Sequence, residues 1–116
     1  MKILLTGLIS SSLLICTPAF ANADLLKEKM CFQCHNVSPD KTGKSLQRIG
    51  PSFQEVSARW KDNKDAEGTL VATIRKGSIE GGGIHWPMNA VMPNDSERPL
   101  VSDAEAKQIL KWIMSQ

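Results

Sequence analysis

The chain has 116 residues, with 14 Lys and Arg against 12 Asp and Glu, a formal net charge of +2 and a length that predicts one domain. So even a balance gives no support for nucleic-acid binding, which wants a basic face, and no such partner is expected. Three Phe, three Trp and no Tyr make a thin supply of core side chains, so a disulfide or a large apolar cofactor is expected to help fill the interior.

Residues 1–23 have the layout of a secretory signal peptide. Met1-Lys2 is a short basic start, Ile3 to Ile15 is uncharged, and Ala19-Phe20-Ala21-Asn22-Ala23 offers small-residue cleavage sites. The apolar run is too short to span a bilayer, so stable membrane insertion is not expected. Cys16 follows Ile15, where lipoprotein processing wants a small residue, and is read as part of the signal. Residues 24–116 then form the mature domain.

A first helix is expected from near Asp24, with Leu25, Leu26 and Met30 at helical spacing, and it runs into Cys31-Phe32-Gln33-Cys34-His35. That is the C-x-x-C-H sequence of covalent haem attachment. Two thiols three positions apart on one side of a turn can each add to a vinyl group of one porphyrin, and His35 follows as proximal iron ligand. Covalent haem attachment requires export, which the signal supplies independently. A thioredoxin-like motif would follow a strand in a βαβ unit, and none is legible here. A Cys31–Cys34 disulfide would close a very small loop. A structural zinc site wants four ligands, and the mature chain offers two Cys and two His unless carboxylates complete the set.

Residues 36–50 read as a loop wrapping one haem face, with Pro39, Asp40, Gly43 and Gly50. Pro51 suits the first turn of a helix that carries Phe53, Val56 and Trp60 on one side. Another helix lies within residues 65–76, burying Leu70, Val71 and Ile74, with Gly77 as its stop. Residues 81–93 are rich in Gly and Pro, hence a loop, and bring three candidates for the second axial position: His85, Met88 and Met92. A thioether favours ferrous iron and raises the potential, which suits an electron carrier. Ser102-Asp103-Ala104-Glu105 is a capping box that opens a final helix with Ala106, Ile109, Leu110 and Ile113 as its apolar stripe. Trp112 borders that stripe and is expected near the first helix. The fold class is all-α, about four short helices with loops around one haem.

Together, Cys31, Cys34 and His35, Gly50-Pro51, the Gly-rich stretch with Trp86, Met92-Pro93 and a last helix with Trp112 resemble the class I cytochromes c, in particular the short bacterial periplasmic kind. The resemblance spans essentially the whole mature chain. It implies a small cytochrome c fold, one haem c held by two thioethers, and Met92 as sixth ligand, since a proline commonly follows that methionine. It also implies that the Pro51 carbonyl accepts a hydrogen bond from the proximal imidazole and that Trp86 packs at the haem edge near a propionate. This sequence departs from the family in its rival ligands Met88 and His85. It departs also in the polar residue expected three after the methionine, here Asp95 with Asn94 one earlier.

The implied function is one-electron transfer in the periplasm, not enzymatic catalysis, with redox proteins as donor and acceptor. The carrier works as a monomer or as a subunit of a redox complex. Lys27, Lys29, Lys41 and Lys44 flank the haem motif and are candidates for a face that meets an acidic partner. Two other roles stand beside the shuttle: an electron-accepting subunit of a periplasmic dehydrogenase, with the insert 61–67 and the doubled methionine loop as interface features, and an open-site haem peroxidase or gas binder. The lack of a nearby Arg-His pair (only Arg48 and His85 are on offer) and a haem motif near the N-terminus count against the open site.

Overall fold

The computed structural model describes residues 23–40, 49–81, 85–86 and 91–116. Residues 1–22 of the proposed signal peptide, Lys41, Lys44, Arg48 and Met88 lie outside the described residues, and Ala23 begins the first helix. Within them are four α-helices and one 3-10 turn, with no strand: α1 (Ala23–Glu28), the turn Cys31–Gln33, α2 (Phe53–Trp60), α3 (Ala66–Glu80) and α4 (Asp103–Met114). The all-α expectation is met.

α1 is short. Asp24 in its first turn meets Lys27 in its last at 3.1 Å, an exposed pair that adds little. Its anchor is Leu26, fully buried among the core residues contributed by α2, α3 and α4. The helix does not run into the cysteine motif as expected. Met30 takes a left-handed conformation, φ 61 and ψ 22, a cost of roughly 1–2 kcal/mol for a residue with a Cβ. This reversal ends α1 and starts the 3-10 turn, in which the His35 amide donates to Cys31 O at 3.1 Å.

The segment after the motif docks on the start of α2. Gly50 N donates to Cys34 O at 2.9 Å, Phe53 N to Asn36 O at 2.9 Å and Gln54 N to Val37 O at 3.0 Å. Two of the amides that a helix start leaves without partners are met by this strap. Ser52, fully buried, is the cap: its hydroxyl accepts from Glu55 N, and Glu55 returns to the Ser52 amide at 2.8 Å. Pro51 therefore lies just outside α2 and not in its first turn. That shift frees its carbonyl to point elsewhere.

A tight turn through Asn63, whose side chain accepts from Asp65 N at 2.9 Å, leads into α3. Leu70, Val71 and Ile74 are buried as expected. Gly77 interrupts α3 without ending it: its φ of 79 with ψ 178 is a conformation open essentially to glycine alone, and the chain resumes a final turn to Glu80. The break redirects the next amide. Ser78 N, which in an unbroken helix would donate to Ile74 O, donates to Met92 O at 3.0 Å, and Met92 N donates to Ser78 Oγ at 3.0 Å.

α4 closes the core against α2 and α3 through Ala106, Ile109, Leu110 and Ile113. Its capping box forms as expected, with Ser102 Oγ accepting from Glu105 N and Glu105 accepting from Ser102 N at 2.8 Å. Glu105 also meets Lys29 Nζ at 3.0 Å, and the same ammonium donates to Leu100 O at 3.0 Å. The Ser102 amide first and the Lys29 ammonium next hold the Glu105 carboxyl down at about 2. A depressed carboxyl stabilises the fold fully above its unfolded value near 4.5, and that stabilisation fades as the pH falls from there towards 2. Glu105→Gln is therefore expected to flatten the acid limb of the melting temperature between those values. A variant whose profile runs parallel to the wild type across that window would show that Glu105 does not carry it.

Candidate functional site

A cavity of about 290 Å³ opens at the junction of the motif, α2, α3 and the segment before α4. All six side chains or carbonyls singled out from the sequence line it: Cys31, Cys34, His35, Pro51, Trp86 and Met92. The rest of its wall is largely apolar, from Phe53, Val56, Leu70, Ile74, Ile109, Leu110 and Ile113.

Cys31 and Cys34 are half-buried, unbridged thiols. The left-handed Met30 and the turn that follows set them on the cavity wall, three residues apart. Burial pushes the Cys31 thiol up, against the opposing charge of Arg98. His35 is held more tightly. Its Nδ1 lies 2.7 Å from Pro51 O, and since a carbonyl can only accept, Nδ1 carries the proton and Nε2 keeps its lone pair. Burial lowers the pKa of the ring, and the Pro51 bond acts in the other direction. A neutral imidazole with one nitrogen anchored and the other free is the state a metal ligand requires. Phe53 stacks on this ring at 5.2 Å and 22°, and it joins Phe32 and Trp112 in edge-to-face contacts at 5.8 and 5.4 Å. Trp112 thus packs on the motif's own Phe32 and on α2.

Met92 reaches the cavity from a segment fastened to the α3 break. Asn94 spends its side-chain oxygen on Ser96, from the amide at 3.0 Å and the hydroxyl at 2.6 Å, building a local turn. Trp86 is half-buried with the Arg59 guanidinium 4.8 Å over its ring, a cation–π geometry. His85 also lines the cavity, edge-on to Trp60 at 5.0 Å, and its Nε2 is buried without a partner. Phe53, Ser78 and Arg98 were not legible as site residues. Phe53 looked like ordinary core, and nothing in the order Glu97-Arg98-Pro99 announces a half-buried guanidinium.

The donor set fits an iron porphyrin. Two thiols, an imidazole with a free nitrogen and a thioether share an apolar cavity, and the buried Nε2 of His85 is an unmet polar atom of the kind a carboxylate-bearing group satisfies. Among the described residues no helix is long and apolar enough to cross a membrane.

Comparison with known proteins points the same way. The family model described as "Cytochrome c" matches residues 21–116. Cytochrome c-552 of Hydrogenobacter thermophilus is 35% identical over 96 residues, covering 83% of this chain and 82% of that protein. Cytochrome c-551 of Pseudomonas aeruginosa is 31% identical across 97% of this chain and 94% of its own length. The crystal structure of wild-type Nitrosomonas europaea cytochrome c552 superposes with a TM-score of 0.60 at 31% identity, covering 81% of this chain and 98% of that one. With its cavity, its cysteine pair and a match that runs from residue 21 to the last, the chain belongs to the cytochrome c family: it is an electron-transfer protein, not an enzyme, and its cofactor is haem c bound covalently through a cysteine pair.

Proposed function

We propose that this cytochrome is a periplasmic one-electron carrier with a single haem joined to Cys31 and Cys34 and ligated axially by His35 and Met92. The observation that carries this reading is that the anchored, neutral imidazole of His35 and the Met92 side chain line one cavity with both thiols. The haem supplies a ferric–ferrous couple. The chain's own residues do the rest. The Pro51 carbonyl fixes the tautomer and plane of His35, and Phe53 limits the ring's rotation. The Ser78 bonds to both sides of the Met92 peptide hold its backbone still, so little rearranges when the charge in the cavity changes by one. Leu70, Ile74, Ile109 and Leu110 exclude water from the same space.

Export is supported by the signal-like N-terminus and by the haem chemistry itself. The partners are redox proteins. For meeting them, Lys29 is a poor candidate, since its ammonium is engaged by Glu105 and Leu100 O and its side chain is only 11% exposed. Lys27 is exposed beside Asp24.

The test is the visible and near-infrared spectrum of the ferric protein beside that of Met92→Ala. A weak far-red sulfur-to-iron band in the wild type is expected, absent from the variant, together with a lower midpoint potential in the variant. A high-spin wild-type spectrum would instead indicate an open site and a haem that binds ligands.

A further inference from the structure

The break in α3 leaves the Ile74 carbonyl without the Ser78 amide that an unbroken helix would supply, because that amide has turned to Met92 O. Arg98 takes the place. Its Nη2 donates to Ile74 O, and its Nε donates at 2.8 Å to Pro93 O, the carbonyl directly after Met92. The guanidinium lines the cavity and is half-buried. A half-buried cation is retained where its donors are used, and here its two acceptors are backbone carbonyls, one on each side of the gap between α3 and the methionine segment. No other side chain among the described residues is recorded bridging Ile74 O and Pro93 O.

We infer that Arg98 is a positioning residue for the sixth ligand: its planar fork pins the Pro93 carbonyl, one residue beyond Met92, to the broken turn of α3 and so sets how firmly the Met92 sulfur is presented to the iron. The inference rests on Met92 being that ligand. Ser78 holds Met92 through two bonds, to its carbonyl and from its amide, and Arg98 holds the Pro93 carbonyl that follows, so removal of Arg98 leaves the segment after Met92 without its tie to α3. The planar fork is essential to this role. A lysine keeps the charge, but its three donors radiate from a single nitrogen on a flexible stem and do not reproduce the rigid, separately placed N–H groups that the guanidinium aims at the two carbonyls.

Exogenous imidazole provides the measure, because it competes with Met92 for the iron and binds more tightly as the methionine is held less firmly. Ferric wild type, Arg98→Ala and Arg98→Lys would be titrated with imidazole while the far-red sulfur band is followed. Midpoint potential and far-UV circular dichroism would be recorded alongside. Arg98→Ala is expected to bind imidazole about tenfold more tightly, the loss of about one charge-assisted hydrogen bond's worth of presentation. Arg98→Lys is expected to show most of that increase, with helix content unchanged and a potential nearer the wild type than that of the alanine variant. If Arg98→Lys matches the wild type, Arg98 acts through its charge alone and the clamp is overturned; wild-type imidazole affinity in Arg98→Ala overturns it as well. Should Arg98→Ala fail to fold, the lysine variant alone decides. A wild type without the sulfur band would sink the axial assignment itself, and the Arg98 role with it, whereas a wild-type band with unaltered affinities in the variants sinks only the Arg98 role.

Discussion

Gly77→Ala is expected to cost roughly 3 kcal/mol or more, lowering the melting temperature by more than about 10 °C, and to weaken the far-red sulfur band in whatever fraction folds. Two effects combine. The backbone at φ 79 and ψ 178 is open essentially to glycine, so any Cβ strains it. A Cβ there would also lie 2.6 Å from Pro93 O and 2.7 Å from Met92 O, both backbone atoms that cannot step aside without moving the methionine segment. The variant must either straighten α3, which takes the Ser78 amide away from Met92 O, or push Met92 off the helix. Gly68→Ala, in the same helix with nothing within 4 Å of the added carbon, is the control and should stabilise slightly, by about 0.5–1 kcal/mol. If the two variants melt alike, Gly77 is not the point where the helix and the ligand segment are joined.

That joint marks the limit of what the sequence conveys. The last helix was legible because periodicity and cap coincide, with Ala106, Ile109, Leu110 and Ile113 behind Ser102 and Glu105, and α3 was legible from the spacing of Leu70, Val71 and Ile74. Cys31, Cys34 and His35 were legible because the chemistry fixes their spacing. Gly77 was recognisable as a break, yet a glycine after a basic pair reads as a helix stop. Only contact with the segment at Met92 and Pro93 turns it into a kink with another turn beyond. Ser52 was passed over in favour of Pro51, since proline at a helix start is a strong local signal, whereas the capping box that displaces it by one residue depends on Glu55 turning back. The Met30 reversal has no local signature at all, for methionine is not a residue that favours positive φ. Arg98 is the extreme case. Its neighbours Glu97 and Pro99 suggest a solvated loop, and its partners Ile74 O and Pro93 O are backbone atoms created as acceptors by a kink elsewhere. Residues whose role is to meet carbonyls freed by tertiary structure leave no pattern to read.

The same reasoning on the other side of the cavity makes Gly50→Ala a test of the proposed proximal ligand, His35. Gly50 N is tied to Cys34 O, so the backbone there cannot retreat, and a Cβ would sit 2.5 Å from Cε1 and 2.8 Å from Nδ1 of His35. The ring has little room in which to yield. Phe53 is stacked at 5.2 Å, and swinging away from Gly50 pulls Nδ1 off the Pro51 carbonyl, leaving a buried N–H without its acceptor. The lost bond and the crowding together are expected to cost about 2–4 kcal/mol. The signature should be specific to His35. The Nδ1 proton, slow to exchange in the wild type because it is hydrogen-bonded and buried, should exchange quickly in Gly50→Ala, and the ferric spectrum should gain a high-spin component as the imidazole tilts. Slow exchange and an unchanged low-spin spectrum in the variant would mean that the strap through Gly50 moves as a unit. The Pro51 bond, and not the tight fit against Gly50, would then be what orients His35.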